Sequence, residues 1–240
     1  LSTMRSHQVQ CLLMGGQACV LYGAAEFSRD TDLAILAERE NLNRLQSALD
    51  SLQAKRIAVP SFEASYLRRG HGVHFRCHHP EAKGMRIDVM SVMRNVAPFT
   101  DLWNRRTTVE TNDGDAFDIL SLPDLIQAKK TQRDKDWPLI RRLVEAHFFQ
   151  NQDTQTPEQV TFWLRECRTP EILLELSGRF TDLAGPLTSQ RPLLTNALEG
   201  DADGVIRALA TEEQREREED RLYWLPLKQE LERLRHEAAG

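Results

Sequence analysis

Residues 14–36, MGGQACVLYGAAEFSRDTDLAIL, constrain the fold more than any other stretch of this chain. Apolar residues run into Gly15-Gly16, a helix-forming segment follows, and Asp30-Thr31-Asp32 then opens a second apolar run. Read as strand, helix and strand, this order places Asp30 and Asp32 on one strand face, because side chains at i and i+2 point the same way, while Leu33 and Ile35 turn into a core. Two carboxylates held side by side repel each other. A hard divalent cation such as Mg²⁺, which takes oxygen ligands, relieves that repulsion. A glycine pair between strand and helix lets backbone amides approach a phosphate closely at the positive end of the helix. Ala18, Leu21, Tyr22 and Ala25 share one face of the intervening helix, predicted over residues 17–25, which marks that face as packing surface.

Gly15-Gly16, thirteen intervening residues and Asp30-x-Asp32 resemble the signature of the DNA polymerase beta-like nucleotidyltransferase superfamily, in small bacterial form. The resemblance covers residues 9–148. It implies an α+β fold in which a mixed sheet is flanked by helices, here followed by an added helical C-terminal region. It also implies a third carboxylate from a later strand, a place suited to Asp88 in the apolar segment MRIDVM. Asp30, Asp32 and Asp88 would then be the catalytic metal ligands, with Mg²⁺ or Mn²⁺ as cofactor. Gly15, Gly16, Ser28, Arg29, Lys129, Lys130 and Arg133 would form the nucleotide-binding set. The implied reaction moves an NMP group from a nucleoside triphosphate to a hydroxyl and releases pyrophosphate.

Acceptors in this superfamily include aminoglycosides, protein side chains and RNA ends, and some members are toxins paired with an antitoxin. The chain departs from the toxin pattern at Glu26, where an arginine often precedes the Thr-x-Asp element. The acceptor expected here is a protein, an RNA end or a small molecule. A competing reading keeps the fold but makes the chain a catalytically silent nucleotide-binding or regulatory module, in a toxin–antitoxin-like pair or alone. The presence of all three acids and both glycines favours the enzyme.

With 240 residues, 40% of them hydrophobic, the chain has material for one large domain or two modest ones. The expected division is a catalytic domain over residues 1–150 and an acidic, all-helical region over residues 151–240. Residues 1–150 carry 20 Lys and Arg against 18 Asp and Glu, whereas residues 151–240 carry 11 against 18. The net charge of −5 is thus concentrated in the second part, which argues against broad nucleic-acid binding. No run of eighteen apolar residues occurs, so no membrane span is expected. The four cysteines stand singly, and with no secretory signal the protein is expected to be cytoplasmic, its thiols reduced.

The remaining elements follow from periodicity and turn chemistry. A strand is expected over residues 9–14, an amphipathic helix over residues 40–53 through Leu42, Leu45, Leu49 and Leu52, and a short strand over residues 55–59. Residues 71–79 hold four of the seven histidines, but Val73 and Phe75 alternate with His74 and Arg76. That pattern favours a strand over a zinc site, with a hairpin returning along residues 85–91 to carry Asp88 into the sheet. Residues 107–110 and 116–119 are further strands around a turn at residues 111–115, and Ser121 caps the next helix. On that helix Lys129, Arg133 and Asp136 fall at i, i+4 and i+7. By the resemblance Lys129 or its neighbour Lys130 would contact the triphosphate, and a surface helix laced with ion pairs is the alternative. Arg29 and the pair Arg105-Arg106 carry the same two readings, phosphate contact or surface charge. Beyond residue 156 only helices are expected, over residues 161–167, 170–180, 192–199, 204–209 and 211–236. Leu222, Leu225, Leu231 and Leu234 of the last would fold back on the catalytic domain or onto a protein partner.

Overall fold

The computed structural model describes residues 1–25, 27–110 and 114–239. Glu26 and residues 111–113 of the expected turn lie outside the described residues. The protein is α+β, with one seven-stranded mixed sheet and many helices among the described residues. In chain order the elements are α1 (Ser2–Ser6), β1 (Cys11–Met14), α2 (Gly15–Leu21), β2 (Asp30–Ile35), α3 (Arg39–Ser51), β3 (Lys55–Arg56), α4 (Ala64–Arg68), β4 (Val73–Arg76), β5 (Arg86–Met90), α5 (Phe99–Asn104), β6 (Thr107–Glu110), β7 (Ala116–Ile119) and α6 (Leu122–Lys129). Then come α7 (Asp136–Asn151), α8 (Pro157–Glu166), α9 (Pro170–Arg179), α10 (Thr181–Leu187), α11 (Leu193–Leu198) and α12 (Ala202–Ala239). The chain divides into two compact units. One comprises Leu1–Leu21, Ala25–Ala128 and Leu222–Gly240, and the other Tyr22–Ala24 and Lys129–Arg221.

The first unit holds the sheet, with strand order β3-β4-β5-β2-β1-β7-β6. β2 runs parallel to β5 and β1 parallel to β7, and every other neighbouring pair is antiparallel. The hairpin expected for residues 71–91 is present as β4 and β5. Strand alternation decides which face is apolar. Leu13, Leu33, Val89 and Val73 are successive register partners across four strands, and all four are buried. Thr31, Ile87 and Phe75 form the next buried row. Helix α3 buries Leu45, Ala48 and Leu49 at helical spacing, as its sequence pattern requires.

The second unit is helical. Thr156 accepts a hydrogen bond from the Gln159 amide and receives the reciprocal bond from the Gln159 side chain, a capping box that starts α8 at Pro157. Its core includes Val160, Trp163, Leu164, Leu173, Leu176 and Leu194. Buried Arg191 donates to the Leu164 and Cys167 carbonyls, both at 2.8 Å, and to Glu212 at 2.9 Å. These partners satisfy a charge that would otherwise be costly to bury.

Several expectations need correction. The helix expected over residues 17–25 is α2, which ends at Leu21 ahead of Gly23 with φ +77°, and Leu21 on its expected packing face is exposed. Residues 129–136 do not form one helix, because α6 ends at Lys129 and α7 starts at Asp136. Pro138 has no amide hydrogen, so it is tolerated only in the first turn of a helix and fixes the start of α7 just before it. The two final helices are one, α12, since Leu209-Ala210-Thr211 contains nothing that interrupts helical hydrogen bonding. Helix α10 was not expected at all, since Gly185 and Pro186 within Thr181–Leu187 read as turn residues. Among the described residues no helix is long and apolar enough to cross a membrane.

Candidate functional site

Opposite the buried rows, the same registers lay two polar rows on the other face of the sheet. Met14, Asp32, Asp88 and His74 are successive neighbours in one, and Asp30, Arg86 and Arg76 in the other. Asp30 and Asp32 are half-buried on either side of buried Thr31, whose hydroxyl lies 3.2 Å from Gln17 Oε1 on α2. Arg86 and Asp88 flank buried Ile87 in the same way on β5. The fold therefore brings Asp30, Asp32 and Asp88 onto one face, with Asp32 and Asp88 directly opposed on parallel strands.

Asp88 already has partners. Arg86 Nε donates to its Oδ1 at 2.7 Å, and His74 Nδ1 lies 2.8 Å from the same oxygen. Arg86 Nη2 is 3.1 Å from His74 Nδ1, so the three side chains form a closed cluster. Burial pushes the Asp88 carboxyl up, but the hydrogen bonds and charges of His74 and Arg86 outweigh it and hold the group below the ordinary carboxylate value. The hydrogen bond to Asp88 raises Arg86 above its ordinary value against its own burial, and the charges of Asp88, Asp30 and Asp32 add to the effect. Arg86 is thus an electrostatic neighbour of all three acids. The sequence reading missed it, although Arg86-x-Asp88 obeys the i, i+2 rule that singled out Asp30-x-Asp32.

The glycines are fixed by close approach. Gly15 has φ +69°, and a Cβ there would collide with the Asp32 carboxylate. A Cβ on Gly16 would sit 2.8 Å from Ser28 Cβ. Ser28 Oγ lies 3.5 Å from the Asp30 carbonyl oxygen, and exposed Arg29 has its guanidinium 6.0 Å from the Phe27 ring. Gly15 therefore lies against the Asp32 carboxylate, and Gly16 against Ser28 beside the backbone of Asp30.

Lys129, Lys130 and Arg133 belong to the second unit, each with a local acid partner. Lys129 Nζ is 3.3 Å from Asp136 Oδ1, while Thr131 Oγ1 and Arg133 Nε donate to Asp136 Oδ2 at 2.6 and 2.7 Å. Lys130 Nζ is 2.8 Å from Glu166. In the first unit Arg105 grips Asp124 with two bonds of 2.7 Å. Arg106 pairs with Asp118 at 2.9 Å and lies 4.2 Å from the Trp103 ring centre.

Whether the acids suit a metal is a question of donor type and room. Three carboxylates on one sheet face are the hard oxygen donors that Mg²⁺ or Mn²⁺ takes, and the Asp32 carboxylate packs into the place a side chain at residue 15 would fill. The donor set fits, with Asp30, Asp32 and Asp88 as the residues that would hold the ion. In the present arrangement, among the described residues, no group of three or more His, Cys, Asp or Glu side chains is gathered tightly enough to hold a metal. No protein-family model matches the chain, and no curated protein is similar to it in sequence.

Proposed function

We propose that this chain is a nucleotidyltransferase with the fold of the DNA polymerase beta-like superfamily, moving an NMP group from a nucleoside triphosphate to a hydroxyl of a protein, an RNA end or a small molecule. The reading rests on the direct opposition of Asp32 and Asp88 on parallel strands, with Asp30 on the same face and Gly15 packed against Asp32. When bound there, Mg²⁺ or Mn²⁺ would lower the pKa of the acceptor hydroxyl and neutralise charge on the phosphates. Asp30 and Asp32 would hold the ions, Asp88 would serve the acceptor side, and the amides of Gly15 and Gly16 would meet a phosphate. In the structure Lys129 and Arg133 pair with Asp136 and Lys130 with Glu166, which supports the ion-pair alternative for these three cations. Exposed Leu222 and Leu225 on α12 support a protein partner along that helix.

The test is label transfer. Wild type and Asp32→Ala are incubated with each alpha-labelled nucleoside triphosphate, Mg²⁺ or Mn²⁺, and a cell extract. Label entering protein, RNA or a small molecule with wild type alone establishes the reaction and names the acceptor class. The engagement of Asp88 by Arg86 and His74 favours a second reading, a nucleotide-binding module without turnover. Calorimetric nucleotide binding with no label transferred from any nucleotide would select it.

A further inference from the structure

We propose that Arg86 is a resident counter-cation of the three-carboxylate face, holding the place of a divalent ion at Asp88 and setting how tightly such an ion binds. The inference rests on the metal reading given above. Arg86 is the register partner of Asp30 and stands two residues before Asp88 on one strand, so its side chain shares their face. Its Nε meets Asp88 Oδ1 at 2.7 Å. A guanidinium does not lose its proton in a protein, so this positive charge is permanent. Carboxylates that share one face repel one another, and Arg86 offsets part of that repulsion.

The same contact works against an incoming ion. A divalent cation at Asp88 meets an oxygen already shared by Arg86 and His74, with a like charge beside it. The Arg86 side chain is 37% exposed and that of Asp88 15%, so the guanidinium can swing toward water on its long stem while the carboxylate stays in place. Arg86 is therefore a positioning residue. It keeps Asp88 oriented in the metal-free protein and must yield when the ion arrives.

The experiment measures Mn²⁺ alone binding to the full chain, by electron paramagnetic resonance and calorimetry. The proteins are wild type, Arg86→Gln, Arg86→Lys, Asp32→Ala and Arg44→Gln, the last removing a positive charge from α3 as a control. Arg86→Gln should tighten Mn²⁺ binding by about three- to tenfold, the range for a partly exposed charge pair. Arg86→Lys, which keeps the charge, should stay closer to wild type, and Arg44→Gln should match wild type. Loss of Mn²⁺ binding in Asp32→Ala together with tightening in Arg86→Gln supports both readings, as does binding that appears only in Arg86→Gln. Loss in Asp32→Ala with no tightening in Arg86→Gln, or equal tightening in Arg44→Gln, overturns the role of Arg86 and leaves the metal reading standing. Unchanged Mn²⁺ binding in Asp32→Ala, or none in wild type and Arg86→Gln alike, overturns the metal reading and this inference with it.

Discussion

Asp88 in the sheet and Asp136 at the start of α7 each accept an arginine and a second nitrogen donor, and each is held below its ordinary carboxylate value. Their surroundings differ. Burial works against the ionised form of Asp136, and Lys129, Thr131 and Arg133 more than offset it. Those partners use both oxygens and come from within seven residues of chain. Two cations answer one buried acid, and the cluster ties the end of α6 to the start of α7. At Asp88 both partners converge on one oxygen, and two more acids share the sheet face. Arg86 and His74 answer Asp88, and Arg76 stands beside Arg86 in the neighbouring row. A buried acid answered from its own stretch of chain is a structural joint, whereas the half-open face with three carboxylates is the one on which the proposed ion would bind.

That contrast breaks most sharply at Asp32. Asp32→Ala should reduce nucleotidyl transfer at least about a hundredfold, the scale of losing one preorganised charge-stabilising group, with little change in melting temperature. Residual transfer near the wild-type rate would remove the sheet acids from catalysis. At the other pole, Asp136→Ala leaves Lys129 and Arg133 without their acid and should cost about 3–5 kcal/mol in urea denaturation. A cost below about 1 kcal/mol would show that the cluster is not a joint.

Gly15→Ala tests the approach of α2 to Asp32. It combines a left-handed backbone with a collision against the carboxylate and should cost about 1–3 kcal/mol while impairing transfer. An unaltered melt would mean that Asp32 relaxes freely. The smallest effect is in pH. Because the folded pKa of Asp136 is depressed, its contribution to stability is complete above the ordinary value of 3.8 and fades as pH falls below that through the folded value. The stability gap between wild type and Asp136→Asn should hold steady from about pH 7 to pH 5 and narrow in more acid solution. A gap that widens on acidification would reverse the assignment.

How much of this was legible varied from residue to residue. The shared face of Asp30 and Asp32, the strands Thr107–Glu110 and Ala116–Ile119 and the hairpin that carries Asp88 all follow from period-two alternation and turn residues. The Lys129–Asp136 segment was misread because helical spacing was extended through a region where Thr131 and Arg133 fold around Asp136 and Trp137 Nε1 donates to the Thr131 carbonyl at 2.9 Å. Pro138 in the first turn of α7 marks where the next helix begins.

The sequence by itself determined which side chains share a strand face and where glycine is needed between strand and helix. These are properties of neighbouring residues and of backbone sterics. Only the tertiary structure decided that Asp32 stands opposite Asp88, that Gly15 presses on Asp32, and that Arg86 and His74 close on a single oxygen of Asp88. Those facts depend on the register between strands far apart in the chain, which no local periodicity encodes.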